Sequence, residues 1–161
     1  MDFDTRAFRD ALGCFPTGVA VVTAEGADRP PMGITVNSFT SVSLDPPLVL
    51  WCVDRRSDRF HIFTRATVFT ISILGACHRS VSARLARPGA HSLEGIPLRP
   101  TELGPPALSD ALAVLECQRE AHHPGGDHEI LIGRVVRFSH QSTGEPLVFF
   151  QGRYRAVGEE A

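Results

Sequence analysis

MGITVNSFTSVSLDPPLVL, residues 32–50, decides how the chain is read. Its ends alternate as strands do, with Ile34 and Val36 apolar around Thr35, and Val42 and Leu44 apolar around Ser43. Between them the phase breaks: Ser38 and Thr40 are polar where apolar residues are due, and Phe39 points the other way. Pro46 and Pro47 belong at an edge or a turn, because neither donates to a ladder. Leu48 to Val53, LVLWCV, is a short apolar run of the kind a buried strand shows. The broken phase predicts a bulge over Val36 to Thr40, which re-aims side chains and frees main-chain polar groups. The short polar side chains of Thr35, Asn37, Ser38, Thr40, Ser41 and Ser43, beside the freed amides, then suit the edge of a flat polar ring, such as an isoalloxazine or a pyrimidine. A solvated, hydroxyl-rich strand face is the competing reading.

Directly after that apolar run comes DRRS, residues 54–57. Ser57 is placed to cap a short helix that buries Phe60 and Phe63. Asp54, Arg55, Arg56 and Ser57 would then bring amides, a hydroxyl and guanidinium groups to one anion site fit for phosphate. An exposed charged turn is the alternative. The two stretches flank one strand, which favours a single ligand bearing both a ring and a phosphate. Further on, Gly125-Gly126-Asp127-His128 closes a hairpin. His128 starts the next strand, and Asp127 is placed to orient it. A metal site on His122, His123 and His128 is a weaker reading, since adjacent His on a turn seldom converge. No nucleophile–base pair is argued from spacing. Hydride transfer between cofactors needs none, because the cofactors carry the reaction.

The rest of the chain is consistent with a single domain over residues 1–161. Hydrophobic residues are 43% and charged residues 21%, ordinary values for a globular protein. A net charge of −2 argues against general binding to nucleic acid or an anionic membrane. All 16 basic residues are Arg, so no lysine-based Schiff base or P-loop is available. Cys14, Cys52, Cys77 and Cys117 form no CxxC pair and read as reduced thiols of a cytoplasmic protein, with no metal. The N-terminus lacks the apolar core of a signal peptide, and no run is long enough to span a bilayer.

Periodicity predicts an amphipathic helix over Asp4 to Cys14, capped by Asp2 or Asp4, with Phe3, Ala7, Phe8, Ala11 and Leu12 on one stripe. Strands follow at Gly18–Ala24, over the opening stretch, at Thr67–Leu74, Leu112–Glu120, Glu129–Phe138 and Leu147–Phe150. EGADRPP and HHPGGDH read as turns. Ala76 to Arg87 reads as a helix stopped by Pro88-Gly89, with a Gly- and Pro-rich loop over 88–107. Short strands with few helices predict a mostly β architecture, an antiparallel barrel closed or nearly so.

FPTGVAVVTA, GITVNSFTSVSLDPPLVLWCVDRRS, GDH and FFQGRY, in this order and spacing, resemble the flavin reductase-like family, small reductase components of two-component flavin-dependent monooxygenases. The likeness runs from about Phe8 to Tyr154. It implies an FMN-binding Greek-key antiparallel split β-barrel with a few flanking helices, in a homodimer. It implies an NAD(P)H:flavin oxidoreductase that uses NADH or NADPH to reduce FMN or FAD and supplies reduced flavin to a partner monooxygenase. By resemblance Thr35–Ser38 line the isoalloxazine, and Cys52–Ser57 hold the ribityl chain and phosphate. His128 then lies near the nicotinamide, with Tyr154 close to the same pocket and Arg84 approaching the flavin. The chain departs from the family pattern at His91-Ser92-Leu93-Glu94-Gly95 and at Gln151. A flavin-binding module without turnover and a split-barrel flavin oxidase are the rival expectations. The oxidase would want a second basic cluster, which is absent from the sequence.

Overall fold

The computed structural model describes residues 3–26 and 29–158. Helix α1 (Thr5–Leu12) leads into strands β1 (Thr17–Gly18), β2 (Ala20–Gly26), β3 (Arg29–Val36), β4 (Thr40–Leu44) and β5 (Pro47–Asp54). Helix α2 (Phe60–Arg65), strand β6 (Val68–Ile73), a 3-10 turn (Ala76–His78) and helix α3 (Arg79–Leu85) follow. The chain ends through β7 (Leu98–Arg99), β8 (Ala107–Leu108), β9 (Ala113–Gly125), β10 (His128–His140), β11 (Val148–Phe150) and β12 (Arg153–Arg155). The architecture is mostly β and antiparallel, as the strand spacing predicts.

Seven strands form one sheet in the order β3-β2-β6-β9-β10-β5-β4. The order leaves a simple meander at β2–β6 and at β10–β5, the kind of crossing a Greek key makes. Strands β3 and β4 therefore sit at opposite ends of the hydrogen-bonded order, yet residues 37–39 alone join them. So short a link spans at most about 14 Å. The sheet must roll until its ends meet, which makes a barrel open along one seam.

The broken phase of the opening stretch is thus no bulge. It is the point where the chain leaves one edge of the sheet and enters the other. The bulge in this region lies further on, between Ser41 and Ser43 of β4. Just before β4, past the Thr40↔Leu50 pair where its ladder to β5 ends, a side chain continues the contact. The Cys52 N–H donates to Ser38 Oγ at 2.9 Å, and Ser38 Oγ–H donates back to the Cys52 carbonyl at 3.4 Å.

Alternation divides the core in two. Val36, Val49, Trp51, Val53, Phe69, Ile71 and Leu131 fill the barrel with Phe63 from α2. Trp51 lies edge-on to Phe63 and Phe69 at centroid distances of 5.3 and 5.8 Å. On the outer side, Val19, Val21, Leu74, Leu85, Leu93 and Leu108 pack together. Strand β2 is buried on both faces, which fits the β-branched, strand-like character of GVAVVTA. Gly33 sits where the outer layer packs closely on β3. A Cβ there would lie 2.8 Å from Leu93 Cδ2 and 3.0 Å from Leu85 Cδ1.

Other expectations are met in part. Asp4 caps α1, its Oδ1 accepting the N–H groups of Arg6 and Ala7 at 2.8 and 3.1 Å. Asp2 lies outside the described residues, as do Ala27 and Asp28 of the EGADRPP turn. The apolar stripe of α1 exists, but no residue of the helix is buried. His122, His123 and Pro124 belong to β9, and the turn shrinks to Gly126-Asp127, because the β9–β10 ladder runs out to Gly125↔His128. Among the described residues no helix is long and apolar enough to cross a membrane.

Candidate active site

A cavity of about 540 Å³ opens where the seam meets the end of β5. That size suits a nucleotide-like ligand. Ile34, Thr35, Val36, Asn37 and Ser38 form one wall. Cys52, Val53, Asp54, Arg56 and Ser57 form the second, with Asp58 and Arg59 beyond them. His128 enters from β10, whose register sets it opposite Asp54. Ala86 and Pro88, just past α3, close the remaining side. The ring-facing and phosphate-facing stretches named from sequence thus share one cavity.

The hydroxyls of the opening stretch do not all face it. Thr35 Oγ1 donates to the Ser82 carbonyl of α3 at 2.9 Å, and Ser38 is held by Cys52. Thr40 and Ser41 are exposed on the far side of the seam. Asn37, exposed on this wall, presents its side-chain amide at the cavity. Asn37 also borders two neighbouring cavities. One, of about 560 Å³, is walled by Arg9, Leu12, Phe15, Thr17, Phe149 and Gln151 among others. The other, of about 160 Å³, contains Tyr154.

At the phosphate-facing end Ser57 is not the cap of α2. The helix starts only at Phe60, after Arg59, and no side chain caps it. Ser57 instead belongs to a turn: its Oγ accepts the Arg59 N–H at 3.2 Å, and its own N–H donates to the Asp54 carbonyl at 2.9 Å. A six-residue helix supplies little dipole, so the polar groups this end offers are side chains and turn amides. Asp54 grips Arg56 through Oδ1 to the Arg56 N–H at 2.8 Å and Nε at 3.3 Å, and through Oδ2 to NH2 at 3.1 Å. That grip holds the Asp54 carboxyl below the ordinary carboxylate range.

Three residues named from sequence sit elsewhere. Arg55 turns outward, its NH2 2.9 Å from Glu129 Oε2 and its Nε 3.3 Å from the His128 carbonyl, and so fastens β10 to β5. Arg84 points away from the cavity and donates to the carbonyls of Glu94 and Ser92 at 3.0 and 2.8 Å. It organises the His91–Gly95 loop, where the sequence departs from the family pattern. Tyr154 lines the small adjoining cavity, its hydroxyl 2.7 Å from Ser82 Oγ.

Asp58, Arg59 and Ala86 carry no site signal in the sequence, and Pro88 reads there only as a helix stop. Arg59 is 3% exposed and donates to the carbonyls of Leu85, at 2.7 Å, and of Arg87. Its Nε lies 3.3 Å from Asp58 Oδ1, a charge contact outside hydrogen-bond geometry. Burial lowers its pKa, with Asp58 opposing the shift. Asp58 Oδ2 in turn accepts the Gly89 N–H at 2.7 Å. Together the two residues hold the chain after α3 as a wall of the cavity.

His128 Nδ1 lies 2.7 Å from Asp127 Oδ1. The contact holds the Asp127 carboxyl below its usual range, so at neutral pH it is an acceptor for Nδ1–H. In the neutral imidazole this leaves Nε2 with an acceptor lone pair. Burial raises the pKa of the Cys52 thiol despite its contact with Ser38, so Cys52 is a neutral wall group. Cys117, deep in the barrel, is pushed up to about 12. His122 pairs with Glu129 at 2.7 Å. Among the described residues no three His, Cys, Asp or Glu side chains converge as metal ligands.

Comparison with known proteins places the chain in a family. Residues 12–158 match the family model described as flavin reductase like domain. The chain is 45% identical over 151 residues to the FMN reductase (NADH) SmoA of Agrobacterium fabrum (strain C58), covering 94% of this chain and 85% of that protein. It is 36% identical over 154 residues to the reductase subunit HsaB of a flavin-dependent monooxygenase of Rhodococcus jostii (strain RHA1), covering 96% and 78%. The solved Streptomyces globisporus C-1027 NADH:FAD oxidoreductase SgcE6, in complex with NAD and FAD fragments, superposes with a TM-score of 0.92 at 36% identity, covering 98% of this chain and 95% of that one. Some relatives are longer: the chain spans 44% of one from Rhizobium meliloti (strain 1021) and 53% of a solved chain from Sinorhizobium meliloti 1021. The protein belongs to the flavin reductase-like family.

Proposed function

We propose that this protein is an NADH-dependent flavin reductase that reduces FMN or FAD and passes reduced flavin to a partner monooxygenase. One observation carries the reading: Thr35–Ser38, Cys52–Ser57 and His128 come together on one cavity. Its residues fit a flavin. Asn37 offers an amide to a ring edge, while Val36, Val53, Ala86 and Pro88 offer apolar surface. Arg56 and Ser57 lie where a phosphate would sit. When bound there, the flavin supplies a hydride acceptor, and the chain positions it against the nicotinamide. Preference for NADH over NADPH is supported by the names of relatives such as SmoA and the NADH-dependent FAD reductase of Streptomyces globisporus. A monooxygenase partner is supported by the name of the HsaB subunit. A cytoplasmic location fits a nicotinamide-dependent reaction and four free thiols.

The chain's own contribution is to bind and orient. Asp127 fixes the His128 ring, whose Nε2 acceptor is available to the carboxamide N–H of a nicotinamide. His128→Ala is therefore expected to raise the KM for NADH about fivefold to twentyfold, the worth of one to two hydrogen bonds, with flavin affinity changed less than twofold. Steady-state kinetics with each substrate varied in turn decide it. An unchanged KM removes His128 from nicotinamide binding.

The working unit is a homodimer. Support comes from apolar side chains left exposed on the single chain: Leu44 (94%) and Phe138 (74%) on β4 and β10, and Phe8 and Leu12 on α1. Light scattering of the purified protein should give twice 17.5 kDa, and a mass of one chain would remove the dimer.

The decisive experiment on function is oxidation of NADH and of NADPH by the purified protein, with and without added FMN, FAD or riboflavin. Rapid turnover with NADH and added flavin is expected. Flavin binding without turnover would leave a binding module as the better account.

A further inference from the structure

Each arginine that lines the cavity already faces a carboxylate. Arg56 NH2 is 3.1 Å from Asp54 Oδ2, and Arg59 Nε is 3.3 Å from Asp58 Oδ1. Just outside, Arg55 is 2.9 Å from Glu129. An arriving phosphate therefore meets no unpaired positive charge among the described residues lining the cavity.

The pairs differ in how readily they open. Arg59 is buried, and its two terminal nitrogens hold main-chain carbonyls, so it cannot turn toward a ligand. Arg55 is tied to Glu129, which His122 also holds. The Arg56 side chain, by contrast, is 81% exposed, and its contacts run to Asp54. An ion pair this exposed is weak and separates easily. Yet Asp54 engages Nε and NH2 together, the same fork of donors that a phosphate takes from arginine. Asp54 itself lines the cavity.

We infer that Asp54 sets the affinity for phosphorylated flavin: its carboxylate occupies the Arg56 fork, and a flavin phosphate must displace it to bind. The inference rests on the reading of this cavity as a flavin site. Two anions then compete for one guanidinium, and the displaced carboxylate stays close enough to repel the phosphate. Phosphorylated flavin is thereby kept exchangeable rather than resident. Riboflavin, which has no phosphate, does not take part in the competition.

Asp54→Asn keeps the side-chain shape and removes the charge. Fluorescence titrations of wild type and variant with FMN and with riboflavin test the inference. The variant is expected to bind FMN about fivefold to tenfold more tightly, the effect of removing one like charge several ångströms away in a solvated site, with riboflavin affinity within about twofold. Adding Arg56→Gln to Asp54→Asn is expected to cancel the gain for FMN. Asp54→Ala serves as a second variant, and circular dichroism confirms that each is folded. If FMN and riboflavin affinities shift together or not at all, Asp54 has no such role, while flavin binding and turnover by the wild type leave the reductase reading standing. If neither flavin binds wild type or variant, the cavity is not a flavin site and both readings fall.

Discussion

Arg59→Ala is expected to destabilise the protein by about 3–5 kcal/mol and to weaken flavin binding at least about tenfold. The side chain is buried, and its two terminal nitrogens satisfy the carbonyls of Leu85 and Arg87 where α3 ends. Truncation orphans both carbonyls, each worth about 1–3 kcal/mol if it stays dry, and leaves a void at the base of the cavity. For a domain of this size the loss corresponds to a fall in Tm of about 6–20 °C. Binding suffers because Ala86 and Pro88, the wall that Arg59 holds, lose their anchor. Arg59→Lys should rescue little, since one ammonium cannot reproduce the two-pronged contact. Thermal melts and flavin titrations on both variants check this. A variant that melts and binds like wild type would show that the wall stands without its arginine.

Trp51→Ala is expected to cost about 3–5 kcal/mol, with activity per folded molecule largely retained. Trp51 is fully buried at the centre of the barrel, in edge-on contact with Phe63 and Phe69. Removing it leaves a cavity that two rigid rings cannot fill. Trp51→Phe should lose less than half as much, because Trp51 Nε1 has no hydrogen-bond partner to forfeit. Urea unfolding of the two variants measures the contrast. Equal losses would mean that the indole N–H is satisfied in solution.

Much of this was legible in the chain itself. LVLWCV reads as a buried strand, and β5 buries Val49, Trp51 and Val53 on alternate positions. The stretches 35–38 and 52–57 carry short polar side chains and arginines where the run of apolar residues stops, and ten of the residues named from sequence do share the cavity. What could not be read is what depends on distant partners. A phase break looks the same locally whether it is a bulge or a jump between sheet edges. Only the pairing of β3 with β2 and of β4 with β5 tells them apart. Ser57 reads as a cap by residue type, but the turn begins three residues before the helix. Arg59 carries no signal of burial, because arginine in a charged run is normally a surface residue. Its depth follows from α3, which arrives more than twenty residues later in the chain. Arg84 falls in the right helix, yet its fork is claimed by the carbonyls of Ser92 and Glu94.

The seam also bears on how the protein keeps to itself. Any sheet that fails to close has two free margins, and an exposed margin is a template on which another chain can add a strand. Here one margin is occupied: β3 meets the loop after α3 through the Gly33 N–H to the His91 carbonyl and the bridge between Met32 and Ser92. The opposite margin, β4, is five residues long, rich in hydroxyls, kinked between Ser41 and Ser43, and followed by two prolines. A strand so short, bent and terminated offers little to a growing β-aggregate. The same irregularity that opens the barrel to a ligand thus leaves no long straight edge for runaway self-assembly.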